Sequence, residues 1–146
     1  MWQGQYETTT DVPAEKLFHA ITDINNWNKW DDGLELTKLE GVAKKGATFI
    51  LKPKGGPNVK MTIDEIQPYR LVDTAHLFLA KMRTSHEYVQ SGNQTTIRFI
   101  VEVWGPLGFF WRKVVGENQI REAAIQTAAL VNYARINSSG GIRGCV

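Results

Sequence analysis

The chain has 146 residues, of which 42% are hydrophobic and 22% charged, the proportions of an ordinary soluble globule and not of a disordered or collagen-like chain. That length suits one domain, residues 1–146, able to bury a core without metal or disulfide staples. The balance of 17 Lys and Arg against 15 Asp and Glu leaves only +2, too little for an electrostatic case for nucleic acid or a membrane surface.

The chain opens with alternation, Trp2, Gly4, Tyr6 and Thr8 against Gln3, Gln5, Glu7 and Thr9, which predicts a strand with one buried face. Asp11-Val12-Pro13 starts a helix, because proline presets φ and loses no needed donor in the first turn. Ala14, Leu17, Phe18 and Ile21 then form one apolar stripe. A second short helix carries Ile24, Trp27 and Trp30, with Asp23 or Asn25 as its cap.

From Leu34 the period changes to two. Strands are expected over Leu34–Leu39, Thr48–Lys52, Val59–Ile66, Leu71–Phe78, Ala80–Val89 and Thr95–Trp104. Short turns such as Pro53–Asn58 and Ser91-Gly92-Asn93 separate them. Strands joined so tightly predict an antiparallel meander. After Gly105-Pro106 the period becomes 3.6 and predicts a helix from Leu107 to about Ile136, roughly 42 Å long at 1.5 Å per residue and open to a bend near Gly116. Asn137 to Gly141 is expected to end it, leaving 137–146 as a tail. The single cysteine, Cys145, suits a reducing cytoplasm, and no basic-then-apolar leader or long apolar run is visible.

The order strand, two short helices, meander, long helix implies an α+β domain in which a curved antiparallel sheet wraps around the C-terminal helix. The space between them is the natural place for an apolar ligand. The run Asp23-Ile24-Asn25-Asn26-Trp27-Asn28-Lys29-Trp30-Asp31 resembles the signature of START-like SRPBCC proteins. Lys52–Pro57, Thr84–Tyr88 and Val103–Gly108 are similar to the polyketide cyclase/dehydrase-type branch of that superfamily. The resemblance spans Tyr6 to about Arg135 and implies the helix-grip fold with a hydrophobic cavity. It implies no particular reaction, because members include lipid carriers and aromatic polyketide cyclases.

Catalytic and metal motifs are not evident: there is no Gly-x-Ser-x-Gly, no His-Glu-x-x-His and no phosphate-cradling glycine loop. His19, His76 and His86 are not spaced as metal ligands, and no cofactor is implied. His86 alternates with Met82, Thr84 and Tyr88, so it either contacts a ligand or transfers a proton, or is a core histidine satisfied by a neighbour. On the long helix Val114, Ile120, Ala124, Ile125, Ala128 and Val131 define an apolar arc that contains Glu117 and Arg121, spaced four apart as an ion pair. That pair either serves the cavity or is an ordinary surface pair.

The expected ligand site therefore combines Trp27 and Trp30 with Phe49, Met61, Ile63, Met82, Thr84, His86, Tyr88, Phe99 and Val101 from the sheet. Val114, Glu117, Arg121, Ala124 and Ala128 complete it from the helix. Three functions fit: a binder of a lipid-like or polycyclic aromatic molecule, a cyclase or dehydratase using the same cavity, and a regulatory or stress-related interaction protein. The expected partner is a small hydrophobic molecule, with no nucleic acid, no stable membrane insertion, and a monomeric or homodimeric state.

Overall fold

Strand β1 (Trp2–Thr10) alternates exposed with half-buried residues along its whole length, as its polar-apolar alternation predicts. In the computed structural model, which describes the backbone of residues 1–144 and side chains through Ile136, it is followed by helix α1 (Ala14–Thr22). Cys145 lies outside the described residues. No side chain of its own caps α1; the Gln90 side chain accepts from Ala14 N–H at 2.8 Å, and Thr95 Oγ1 donates to the Val12 carbonyl at 2.8 Å. The entry to the helix is therefore fixed from the sheet.

The second short helix is a 3-10 helix, Ile24–Lys29, and Asn25 does not cap it. Its amide bonds both the N–H and the carbonyl of Leu39, which ties the helix to β2. The meander comprises β2 (Leu34–Leu39), β3 (Thr48–Pro53), β4 (Val59–Gln67), β5 (Arg70–Leu77), β6 (Ala80–Ser91) and β7 (Gln94–Trp104). All neighbours are antiparallel in the order β1-β7-β6-β5-β4-β3-β2, so the first strand closes beside the last. Bulges in β2 and at Asp64 of β4 add twist and bend the sheet. The bulge at Asp64 also resets the alternation: Ile66, not Glu65, joins the core face opposite Leu71, while Glu65 turns to Arg70 at 2.6 Å.

The C-terminal helical run has three parts: α2 (Gly108–Trp111), a π turn over Arg112–Gly116, and α3 (Glu117–Gly144). The irregularity falls where Gly116 meets the sheet. A Cβ there would lie 2.8 Å from the Trp2 ring, and one at Gly4 would lie 2.6 Å from Ile120. Two glycines thus let the helix cross β1 closely, and the wider turn adjusts the phase between α2 and α3. The helical backbone runs to Gly144, through the Asn137–Gly141 stretch expected to end it.

The buried face of α3 differs from the expected one. Ala123, Thr127, Leu130 and Ala134 are buried, an i, i+4, i+7, i+11 set lying about 100° round from the arc of Ala124, Ala128 and Val131. The cause is compositional. Alanines occupy every side of this helix, so they carry no direction, and only the tertiary packing against α1 and β1 selects a face.

Candidate functional site

Residues directly opposite across antiparallel strands share a face, so the register sorts the inner surface of the sheet into rows. One row runs Met61, Ala75, Met82, Val103. The next runs Ile63, Asp73, Thr84, Val101, and a third Leu71, His86, Phe99, Tyr6. Tyr88 and Ile97 begin a fourth, and Phe49 extends the first from β3. Phe49, Met61, Ile63, Met82, Thr84, Tyr88, Phe99 and Val101 are all buried on this face, and His86 is nearly so.

Trp27 reaches the same face from the 3-10 helix. Its ring meets Phe49 edge-on at 5.5 Å and lies 6.5 Å from His86, while its Nε1 donates to the Ile21 carbonyl at 2.9 Å. It is therefore a satisfied core anchor. Trp30, 6.5 Å from Trp27, is half-buried, and its buried Nε1 has no hydrogen-bond partner among the described residues.

Sequence reasoning passed over Asp73. It is 2% exposed in the middle of the inner face, and its Oδ2 has no hydrogen-bond partner among the described residues. His86 Nε2 lies 3.9 Å away, too far for a hydrogen bond. The signal was available in the alternation Leu71, Asp73, Ala75, Leu77, where one acid interrupts a small apolar series.

Burial removes solvation from both groups. It pushes the Asp73 carboxyl up to about 8, with the nearby Asp64 carboxylate adding to the effect. It pushes the His86 imidazole down to about 4. Asp64 itself is outward, accepting from the Thr74 hydroxyl and lying 3.8 Å from Arg83. Near neutral pH the inner face thus holds a protonated carboxyl and an uncharged imidazole side by side. The pair supplies an O–H donor, a ring N–H donor and a ring nitrogen acceptor in apolar surroundings.

The helix contributes differently than expected. Val114 and Arg121 are exposed and not packed on the inner surface, and Ala124, also exposed, meets that surface at its β1 edge. Glu117 pairs with Arg112 at 2.9 Å across the π turn instead of with Arg121. The extra residue of that turn brings the Arg112 guanidinium to a carboxylate five positions later. Ala124 and Ala128, two of the helix residues expected to face the sheet, line an open groove of about 280 Å³ between α3 and Tyr6, Thr8 and Thr10 of β1. A second open depression, about 370 Å³, lies at the Pro68–Arg70 turn beside Glu87–Gln90. Among the described residues no cluster of three or more His, Cys, Asp or Glu is placed to hold a metal, and no helix is long and apolar enough to cross a membrane.

A seven-stranded curved antiparallel sheet beside a long C-terminal helix, with two short helices after the first strand, is the helix-grip architecture of START-like proteins. The chain belongs to the family described as polyketide cyclase / dehydrase and lipid transport, which matches residues 1–135. Its fold is similar to that of a START superfamily protein from Mycobacterium smegmatis, at TM-score 0.68 and 14% identity over 91% of this chain and 97% of that one. It is also similar to Ara h 8.0201, at TM-score 0.70 and 18% identity, covering 91% and 97% of the two chains. The di-domain ARO/CYC BexL from the BE-7585A biosynthetic pathway matches at TM-score 0.70 and 13% identity, with 90% of this chain on 46% of that one. No curated protein sequence matches the chain.

Proposed function

We propose that this protein binds a hydrophobic small molecule, lipid-like or polycyclic, between the inner face of the sheet and the long helix, and that Asp73 and His86 hydrogen-bond an oxygen on it. The observation that carries this reading is the buried Asp73 Oδ2 with no partner among the described residues, on a face otherwise built from Ile63, Leu71, Met82, Phe99 and Val101. Leaving such a group unpaired costs about 1–3 kcal/mol, which a ligand oxygen recovers. Membership of a family that includes lipid transport supports the apolar class of ligand. In this reading the partner is a small molecule and not nucleic acid, and the protein works as a monomer or homodimer. The single cysteine supports a place in the reducing cytoplasm.

The test is a matched pair of probes, 9-fluorenone and fluorene, titrated against tryptophan fluorescence. Asp73→Leu and His86→Phe each weaken fluorenone binding about five- to tenfold, the worth of a neutral hydrogen bond, and leave fluorene unchanged. Equal losses for both probes would assign the two residues to packing alone. If neither probe binds the wild type and native mass spectrometry finds no copurified ligand, the interaction-protein reading takes over.

One observation favours an enzymatic second reading: an uncharged imidazole lies 3.9 Å from a carboxyl held protonated. His86 can take a proton α to a ligand carbonyl while Asp73 gives its proton to the carbonyl oxygen, forming an enol as in a cyclase or dehydratase step. Deuterium exchange at the α-carbon of bound 2-tetralone reads this directly. Exchange that is accelerated by the wild type and lost in His86→Phe supports turnover, whereas binding without exchange leaves the carrier reading.

A further inference from the structure

We infer that the end of the molecule formed by the β5–β6 turn and α2 docks reversibly on an anionic lipid bilayer surface. Five large apolar side chains stand exposed there: Phe78, Leu79, Phe109, Phe110 and Val114, with Phe78 at 70% and Phe109 at 68%. The two segments are bound to each other. Leu107 N–H donates to the Leu79 carbonyl at 3.0 Å, and the Trp111 indole donates to the Phe78 carbonyl at 2.8 Å. The two segments therefore bring these side chains to one end of the molecule, where Phe78 and Phe109 stand clear of their surroundings and Phe110 meets the Trp111 ring edge-on at 5.1 Å.

The turn is built against local preference. Leu77 pairs with Ala80, so Phe78 and Leu79 are the two central residues of a tight hairpin, and Leu79 has φ 54°. Asn and Gly take that conformation freely, and a leucine there is strained. Tyr69 is the other non-glycine residue with positive φ among the described residues, and its ring packs edge-on against Phe18 at 6.0 Å. Leu79 and Phe78 are exposed, and Phe78 makes no ring contact among the described residues. A surface outside the chain supplies it.

Charge selects that surface. Lys60, His76 and Lys81 form one row across β4, β5 and β6 beside the turn, and Lys113 is exposed one turn beyond Phe109. Lys60, Lys81 and Lys113 make no ion pair among the described residues, while the nearby Arg112 is neutralised by Glu117. Aromatic side chains rimmed by unpaired lysines match the boundary between lipid headgroups and acyl chains. A two-fold pairing with a second copy would instead bring this basic rim toward its own image.

Co-sedimentation with phosphatidylcholine vesicles, with and without phosphatidylserine, tests the assignment. The wild type pellets preferentially with the anionic vesicles. Phe78→Ser combined with Phe109→Ser lowers that affinity at least tenfold. Lys81→Gln and Lys113→Gln each lower it about fivefold on anionic vesicles only. Leu79→Gly relieves the strained turn, so it weakens vesicle binding while the thermal midpoint holds or rises; a merely structural residue would lower the midpoint. The inference is overturned if the wild type pellets with neither vesicle, if the variants pellet as it does, or if light scattering finds a dimer that Phe109→Ser splits.

Discussion

Asp73 makes the stability of this protein fall as pH rises from 6.5 toward 8, and Asp73→Asn removes the fall. In the unfolded chain the carboxyl titrates near 3.8, whereas in the fold it titrates near 8. Between those values the folded state holds a proton that the unfolded state has released, so stability decreases with pH. His86 acts with the opposite sign. Its imidazole titrates near 6.5 unfolded and near 4 folded, so between pH 4 and 6.5 the unfolded state holds the extra proton and stability increases with pH. The two slopes oppose each other up to about pH 6.5. Above that the unfolded imidazole sheds its remaining half proton, which offsets Asp73 by only about 0.4 kcal/mol. At about 1.4 kcal/mol per pH unit, tapering as the folded carboxyl begins to ionise, the loss due to Asp73 from pH 6.5 to 8 is roughly 1.5–2 kcal/mol. Urea unfolding followed by tryptophan fluorescence measures it, because a change in midpoint at constant slope is a change in stability. The asparagine variant keeps the side chain's shape without a titrating group, so its midpoint no longer falls across the same range. Parallel pH profiles for the two proteins would refute the argument, since Asp73 would then be ionised in the fold.

Two further outcomes follow from the corrected position of the helix. Arg121→Met changes the midpoint of thermal unfolding by no more than about 0.5 kcal/mol equivalent, because Arg121 is exposed and Glu117 already has Arg112; it also leaves binding of fluorenone unchanged, where a cavity role would weaken it. Gly116→Ala costs about 1–3 kcal/mol in a urea titration, because the new methyl would lie 2.8 Å from the Trp2 ring and 3.0 Å from Val103.

The exposed patch shows what a charge total conceals. A net +2 argued against any electrostatic attraction to a membrane, yet Lys60, Lys81 and Lys113 collect at one end while most acids are spent in pairs such as Glu65 with Arg70 and Glu7 with Arg98. Strand β4 and the turn after β5 bring those lysines and the aromatic residues together from separate stretches of chain. No window of the sequence contains the patch.

The strands, their order and most of their facing were legible in the sequence, because a two-residue period is written in each strand and short turns force antiparallel neighbours. His86, Tyr88, Phe99 and Val101 fell on the inner face by that rule alone. The bulge at Asp64, the π turn before Glu117 and the buried face of α3 were not legible. Each depends on how one element meets another: the bulge on pairing with β5, the π turn on Gly116 meeting Trp2 and Val103, and the helix face on α1 and β1, since alanines on all sides give no preferred direction. Asp73 belongs with them. Alternation puts it on the inner face, but only the register that sets it between Ile63 and Thr84, 3.9 Å from His86, makes it an unpartnered acid in an apolar surface.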